Sequence, residues 1–104
     1  MTRYAARKDA NHDAVAAYMQ RLGWSVVDTS RMGEGFPDCL VGRAGFCCPV
    51  EIKDGSKVKS KRSLTSAQKT WRAEWTGPYV LAESPEDAGN QLLALWRRWL
   101  RSPT

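Results

Sequence analysis

The spacing of apolar positions predicts three helices. They are "NHDAVAAYMQRLG" (11–23), "LTSAQKTWRAEWTG" (64–77) and "SPEDAGNQLLALWRRWL" (84–100). Each begins at a residue type that caps helices well, namely Asn11, Thr65 and Ser84. The first two are predicted to end at glycine, which often terminates helices.

Four shorter β-rich runs predict strands, at 24–28, 38–42, 46–53 and 79–82. The second and third flank "RAG", which favours an antiparallel hairpin with a tight turn in which Gly45 takes a positive φ. A glycine-rich loop (29–37) precedes the hairpin, and a basic loop (54–63) follows it. The predicted order, αβββαβα, is that of an α/β domain.

The hairpin brings two acids together if its loop consists of residues 44–45. Arg43 then faces Phe46, and continuing the pairing places Asp38 opposite Glu51. Directly opposed residues of antiparallel strands share a face, with Cβ atoms about 4.5–5.5 Å apart. Two carboxylates at that distance repel each other unless a positive charge lies between them.

Lys53 lies two residues after Glu51, so the period of a strand puts both side chains on one face, while Val50 and Ile52 point to the other and can be buried. A divalent cation held by both acids offsets their repulsion more completely than the lysine, and oxygen ligands favour Mg²⁺ or Mn²⁺. A metal-bound water beside an ammonium group is suited to phosphodiester hydrolysis. The alternative is that the two acids and the lysine form a solvated cluster on an exposed sheet face and have no catalytic role.

Composition narrows the class of protein. The 104 residues are 42% hydrophobic and 26% charged, which predicts one domain because little room is left for a second core. The net charge of +5 makes a polyanion a reasonable partner. No apolar run approaches the roughly 20 residues of a membrane span, and the N-terminal stretch lacks a signal-peptide core, so a cytoplasmic protein with no membrane partner is expected.

Cysteines and tryptophans are predicted to serve the core. Three cysteines lie inside predicted strands without metal-site or redox spacing, and they are Cys39, Cys47 and Cys48. Trp71 and Trp75 on the second helix, and Trp96 and Trp99 on the third, follow helical spacing. Stacking of these indoles on nucleic-acid bases would require their exposure. The arginines beside the second pair, Arg97, Arg98 and Arg101, leave a subunit interface or a second DNA contact open.

Several motifs together resemble a nuclease family. Pro37-Asp38, a twelve-residue gap and Glu51-Ile52-Lys53 at the end of an apolar strand resemble the PD-(D/E)xK nuclease superfamily. With the glycine-rich loop, "LVG", "EIKDG", the basic loop, "LTSAQ" and "TGPYVLAESPEDA", roughly residues 8–95 are similar to the stand-alone VRR-NUC (virus-type replication-repair nuclease) domains of phages and prophages. The resemblance implies one such domain over 1–104, with a restriction-endonuclease-like αβββαβ core whose mixed β-sheet is flanked by helices.

Carried over to this sequence, the resemblance assigns roles to five residues. It implies that Asp38 and Glu51 bind Mg²⁺ or Mn²⁺, with the backbone carbonyl of Ile52 as a further ligand. Lys53 would position or activate the attacking water. Gln68, in "LTSAQ", would lie beside the active site as a further catalytic residue.

Many members of that superfamily also place an acid on the first helix, near the metal. The corresponding stretch here is Asn11, His12 and Asp13. Asp13 is the carboxylate among them, although an acid in a first helical turn is equally favoured by the helix dipole. His12 is a candidate base, although a lone histidine near a helix start is more often solvated. The first-helix ligand therefore stays open among these three.

The basic loop predicts a DNA-binding surface. Its cations are Lys57, Lys59, Lys61 and Arg62, and Lys69 on the second helix and Ser56 are further candidates. Phosphate is the natural counter-charge for such a loop beside a hydrolytic centre. A merely solvated loop is the alternative.

These features predict a metal-dependent DNA endonuclease. The resemblance implies structure-specific cutting of branched or Holliday-junction DNA in phage replication, recombination or repair. It also implies a homodimer that sets two active sites against two strands. The alternative from a different class is a catalytically silent DNA-binding module that keeps the nuclease fold.

Overall fold

The elements follow the predicted order. The computed structural model describes residues 9–102, so residues 1–8 and 103–104 of the predicted 1–104 domain lie outside the described part. The elements are α1 (His12–Arg21), β1 (Ser25–Asp28), β2 (Cys39–Arg43), β3 (Phe46–Ile52), α2 (Ser66–Glu74), β4 (Val80–Ala82) and α3 (Pro85–Arg101), with a 3₁₀ turn at Lys59–Lys61 in the basic loop. Over residues 9–102, no helix has both the length and the apolar character required to cross a bilayer.

The strands form one sheet in the order β1-β2-β3-β4. β2 runs antiparallel to both β1 and β3, whereas β4 runs parallel to β3. The parallel pair requires a crossover, and α2 provides it between β3 and β4. The predicted α/β class, with a mixed sheet flanked by helices, is confirmed.

The predicted hairpin register is also confirmed. The loop residues at 44–45 have φ values of 47° and 90°, as a two-residue turn between twisted strands favours. Arg43 pairs with Phe46, and the ladder continues without a bulge to the start of β2. Asp38, which immediately precedes β2, therefore lies in line with Glu51.

The hydrophobic core lies on one face of the sheet, beneath α1 and α3. Alternate strand residues supply it, as the period of a strand requires. Its fully buried members include Val15 and Met19 of α1, Val41, Cys48, Val50 and Val80 of the strands, and Ala88 and Leu92 of α3. Trp24 closes one side through edge-on contacts with Phe46 and Trp96. The expectation that Val50 and Ile52 are buried is confirmed.

Helix α2 lies over the opposite face, on which Glu51 projects. Trp71 anchors it there through an edge-on contact with Phe36, with ring centroids 5.3 Å apart, and through Tyr79 at 6.2 Å. Gln68, one turn earlier on α2, reaches Glu51. The two faces of the sheet therefore differ in use, because one is the main core and the other presents polar groups beneath a helix.

Two of the three predicted helix caps form. The side-chain oxygens of Thr65 and Ser84 accept hydrogen bonds from backbone N–H groups in the first turns of α2 and α3, whereas the Asn11 side chain makes no capping bond. The predicted end of the second helix is wrong. Helix α2 ends three residues before Gly77, because Trp75 takes an extended backbone.

The core prediction holds for some cysteines and tryptophans and is wrong for others. Cys39 and Cys48 are buried, whereas Cys47 is exposed because alternate residues of β3 face opposite sides of the sheet. Trp75 and Trp99 are each 42% exposed. Both lie at the carboxyl ends of their helices.

The loop between β1 and β2 meets α2 at Gly35. Its φ is +79°, and a Cβ at this position would overlap the carbonyl oxygen of Ala67. Gly33 has a similar φ of +72°, but a Cβ there would meet nothing within 4 Å. The two glycines therefore share the backbone conformation and differ in crowding.

Gly35→Ala is expected to lower the free energy of unfolding by about 1–3 kcal/mol more than Gly33→Ala does. Both substitutions strain the backbone, but only the first forces the loop away from α2. Denaturant unfolding of the two variants side by side measures the difference. Equal losses would contradict a close contact between the loop and α2.

Candidate functional site

The predicted acid pair lies in a cleft bounded by the end of β3, the start of α2 and the glycine-rich loop. The cleft has a volume of about 130 Å³, which is room for an ion with a few water molecules. Its polar side chains include Asp9, Asp38, Glu51, Lys53, Thr65 and Gln68. Four of these were predicted site residues, so hairpin register and the crossover helix bring them together.

Glu51 is 2% exposed, and its environment disfavours a negative charge. The pKa of Glu51 is raised to about 9, mainly by burial. The charge of Asp38 and a hydrogen bond to Asp38 raise this pKa further, whereas the charge of Lys53 lowers it. Asp38 is oriented by the backbone N–H of Ile52, which donates to its Oδ2 at 2.8 Å. Without a cation, the pair therefore holds a proton at neutral pH.

Gln68 connects Lys53 to Glu51. Its Oε1 accepts hydrogen bonds from Lys53 Nζ at 3.0 Å and from the backbone N–H of Thr65 at 2.9 Å, and its Nε2 donates to Glu51 Oε2 at 3.0 Å. Thr65 Oγ1 accepts from the Gln68 backbone N–H, which completes a capping box. The helix start thereby holds the ammonium group of Lys53 at 3.8 Å from Glu51 Oε2.

Ile52 contributes to the cleft through its backbone. Its side chain is 2% exposed and belongs to the core on the other face, yet the residue lines the cleft. The predicted ligand at this position was the backbone carbonyl. The backbone N–H of Ile52 donates to Asp38 Oδ2, so the main chain of this residue borders the acid pair.

The three first-helix candidates point to different places. Asn11 Nδ2 donates to the carbonyl oxygen of Lys53 at 3.1 Å, so this side chain ties α1 to the end of β3. His12 is buried, with Nε2 3.8 Å from Cys39 Sγ, so the expectation of a solvated histidine is wrong. The side chain of Asp13 is 93% exposed, and Asp13 is not among the residues that line the cleft.

Asp9 lines the cleft instead, although it lies outside the stretch from which the sequence predicts a first-helix ligand. Its negative charge is one of the causes that raise the pKa of Glu51. The backbone N–H of His12 donates to the Asp9 carbonyl, so a turn starting at Asp9 leads into α1. An acid one turn before the helix is the sequence signal that would have identified it.

The described residues, 9–102, contain no group of three or more His, Cys, Asp and Glu side chains arranged to bind a metal. The carboxyl groups of Asp38 and Glu51 are joined by a hydrogen bond, so they are a pair of oxygen donors that one cation could share. Mg²⁺ usually keeps several waters and takes few protein carboxylates. The donor set therefore fits a hydrated, hard cation better than a fully enclosed metal.

The predicted DNA contacts divide into two groups. Four lysines are exposed, Lys57, Lys59, Lys61 and Lys69. Arg62 instead stabilises the loop, since its Nη1 lies 3.0 Å from Glu83 Oε1 and its Nε donates to the Lys57 carbonyl. The Ser56 hydroxyl donates to Asp54 within the same loop. The lysines are therefore the side chains of this surface that are positioned to meet phosphates.

No protein-family model, no curated protein and no solved structure matches this chain. The functional conclusion therefore depends on the geometry of the cleft. That geometry consists of two opposed acids, a buried lysine and an amide that orients it.

Proposed function

We propose that this protein is a divalent-metal-dependent DNA endonuclease that hydrolyses phosphodiester bonds in the cleft. The observation that carries the proposal is the buried Glu51, opposed to Asp38 and 3.8 Å from the Lys53 ammonium. A buried carboxylate beside another carboxylate destabilises a fold unless a cation neutralises it. Two such acids at the open end of a hairpin in a small domain are best explained by a role in binding a cation.

Each of these side chains has a separate role in the proposed hydrolysis. Asp38 and Glu51 hold Mg²⁺ or Mn²⁺, together with the Ile52 carbonyl. When bound, the ion lowers the pKa of a coordinated water and stabilises negative charge on a phosphate oxygen. The Lys53 ammonium donates to the attacking oxygen and keeps it in line with phosphorus. Gln68 positions Lys53, because its Oε1 accepts from that ammonium.

The same proposal places the chain in the VRR-NUC family, with a restriction-endonuclease-like core. Supporting it are the element order, the hairpin that carries the acid pair and the parallel strand that follows α2. Gln68 occupies the start of α2, beside the acids. Branched or Holliday-junction DNA as substrate and a homodimer as the active form are part of the proposal and rest on the resemblance alone.

Incubation with a four-way junction, a flap and a plain duplex, each with and without Mn²⁺, tests the proposal. Metal-dependent cutting of any of them would support an endonuclease. Binding without cutting at every metal concentration would instead indicate the catalytically silent DNA-binding module. One observation favours this second candidate, namely that no group of three potential metal ligands forms among residues 9–102.

Lys59→Ala combined with Lys61→Ala is expected to weaken duplex binding and to flatten its salt dependence. Each phosphate contact contributes about 0.9 to the slope of log K against log salt, so the slope should fall by roughly 2. The matched control is Arg21→Ala, which removes an exposed cation in the last turn of α1. An unchanged slope in the lysine variant would show that the loop is merely solvated.

A further inference from the structure

A second cavity lies between the carboxyl ends of α2 and α3, and we call it the carboxyl-end groove. Its volume is about 380 Å³, which lies within the roughly 300–1,000 Å³ of small-ligand sites. Its walls include Phe46, Arg72, Tyr79, Leu95, Arg98 and Trp99. Among the described residues, none that lines the groove is acidic, so the groove combines aromatic surface with positive charge.

Trp99 supplies an open aromatic surface. Its ring packs on Phe46 at 5.5 Å between centroids, yet 42% of the residue remains exposed. The contact with Phe46 holds the indole in place, and Trp99 also lines the groove. The exposure that base stacking requires is therefore present at this tryptophan.

Two guanidinium groups flank this surface. Arg72 lies over the Tyr79 ring, 4.1 Å from its centroid, which orients a planar group whose N–H donors match phosphate geometry. Arg98 is exposed and precedes Trp99 on α3. A stacking ring with adjacent arginines is a combination typical of sites for single-stranded nucleic acid.

Helix α2 links this groove to the cleft. Its first turn carries Gln68, at the acid pair, and its last turn carries Arg72, at the groove. Gln68 and Arg72 are about 6 Å apart along the helix axis, which corresponds to roughly two nucleotides at the 3.4 Å rise of a duplex strand. Lys69 and Arg72 are one turn apart on the exposed side of α2 and can contact the phosphates between the two sites.

A chain of aromatic side chains also connects the two sites. Tyr79 lines the groove, and Trp71 connects it to Phe36 in the wall of the cleft. A strand bound in the cleft therefore has a continuous aromatic and basic path to the groove.

We propose that the carboxyl-end groove binds an unpaired nucleotide of the DNA substrate, with its base stacked on Trp99 and its phosphates contacted by Arg72 and Arg98. The inference rests on the proposed function for its DNA partner. It deepens that function, because it makes an unpaired nucleotide a few steps from the cut part of what is recognised. Stacking tolerates any base, so the groove selects for DNA structure and not for sequence.

The test measures binding of a short labelled oligothymidine by fluorescence anisotropy, in EDTA so that no cutting occurs. Trp99→Ala and Arg98→Ala are each expected to weaken binding about tenfold, since stacking on one base contributes roughly 1–3 kcal/mol. Trp99→Phe is expected to retain most of the affinity, because phenylalanine keeps a stacking ring. Arg97→Ala is the matched control, since this exposed neighbour of Arg98 does not line the groove.

Three outcomes would overturn the inference. Unchanged oligothymidine binding by Arg98→Ala, with a lower melting temperature, would show that this arginine only complements the negative end of the α3 dipole. Equal weakening by Arg97→Ala would show a general charge effect. Equal weakening of blunt-duplex binding by Trp99→Ala would show that the groove does not recognise unpaired DNA.

A loss of DNA binding by Trp99→Ala must be distinguished from a loss of folding. Trp99 contacts Phe46, so circular dichroism must show a folded Trp99→Ala protein, and the exposed Arg98 provides a substitution that does not touch the core. Because binding is measured without metal, a wild-type protein that never cuts DNA would overturn the proposed nuclease while this result still decides the groove.

Discussion

Lys53→Met is expected to slow metal-dependent cutting of DNA by roughly a hundred- to ten-thousandfold, the range found when a proton-transfer group or a charge-stabilising donor is removed. The Lys53 ammonium lies 3.0 Å from Gln68 Oε1 and 3.8 Å from Glu51 Oε2. It therefore lies beside the acid pair, where it would orient the water that attacks the phosphate. Methionine retains the length of the buried stem and removes the charge.

Lys53→Met should lower the rate of cutting and leave the affinity for DNA unchanged. Single-turnover cutting of a four-way junction with Mn²⁺, at saturating protein, separates the two quantities. Lys61→Met is the control, since this exposed loop lysine is expected to alter affinity and salt dependence. Lys53→Met changes the charge beside the acid pair, so the Mn²⁺ concentration must be raised until the rate is constant. A Lys53→Met protein that then cuts at the wild-type rate would contradict the assigned role.

Glu51→Gln is expected to abolish cutting and, at the same time, to stabilise the metal-free protein by about 3 kcal/mol at pH 7. Glutamine resembles the protonated acid, because its amide can donate to Asp38 and its oxygen can accept from Gln68 Nε2. In wild type, unfolding at pH 7 releases the proton of Glu51 to water, which favours the unfolded chain, whereas glutamine has no such proton to release. A stabilised but inactive variant is the result expected when a residue is retained for function at the expense of the fold.

The raised pKa of Glu51 determines how the stabilisation by Glu51→Gln changes with pH. The pKa of Glu51 is raised from its ordinary value of 4.5 to about 9 in the folded state, so the folded protein binds this proton more tightly than the unfolded chain. The contribution of Glu51 to stability is therefore greatest below pH 4.5 and is lost as the pH rises toward 9. Glutamine does not titrate, so the advantage of the variant should grow across this window by about 1.4 kcal/mol per pH unit.

Thermal unfolding between pH 4.5 and 9 measures this difference. At pH 7 the melting temperature of Glu51→Gln should exceed that of wild type by roughly 10–20 °C. Glu74→Gln, an exposed acid at the end of α2, is the control and should change little at any pH. Adding Mn²⁺ should stabilise wild type and not Glu51→Gln, since the ion replaces the proton. A pH-independent difference would contradict a buried, protonated Glu51.

Much of the site could be predicted because the forces that build it are local. The two-residue loop at 44–45 sets the register of β2 on β3, and the register alone puts Asp38 in line with Glu51. Strand periodicity then places Lys53 on the same face. The cap at Thr65 is equally local, since it joins residues of one helical turn. These features depend on residues near one another in sequence, where spacing and geometry are directly related.

Other features depended on how elements pack. The position of Asp13 in a helix was clear from the sequence, but the side of α1 that meets the sheet decides that it is exposed and that Asp9 lines the cleft. The exposure of Trp99 likewise depends on where α3 passes the start of β3. Helical spacing identifies a stripe of indoles without showing where along the helix its burial stops.

The sequence by itself determined the α/β element order, the hairpin register and the opposed acids, because short-range pairing and periodicity specify them. Only the tertiary structure decided that Gln68 holds Lys53, that Asp9 lines the cleft and that the ends of α2 and α3 enclose a groove. Each of these joins residues far apart along the chain, and their meeting follows from the packing of two helices on one face of the sheet and a third on the other.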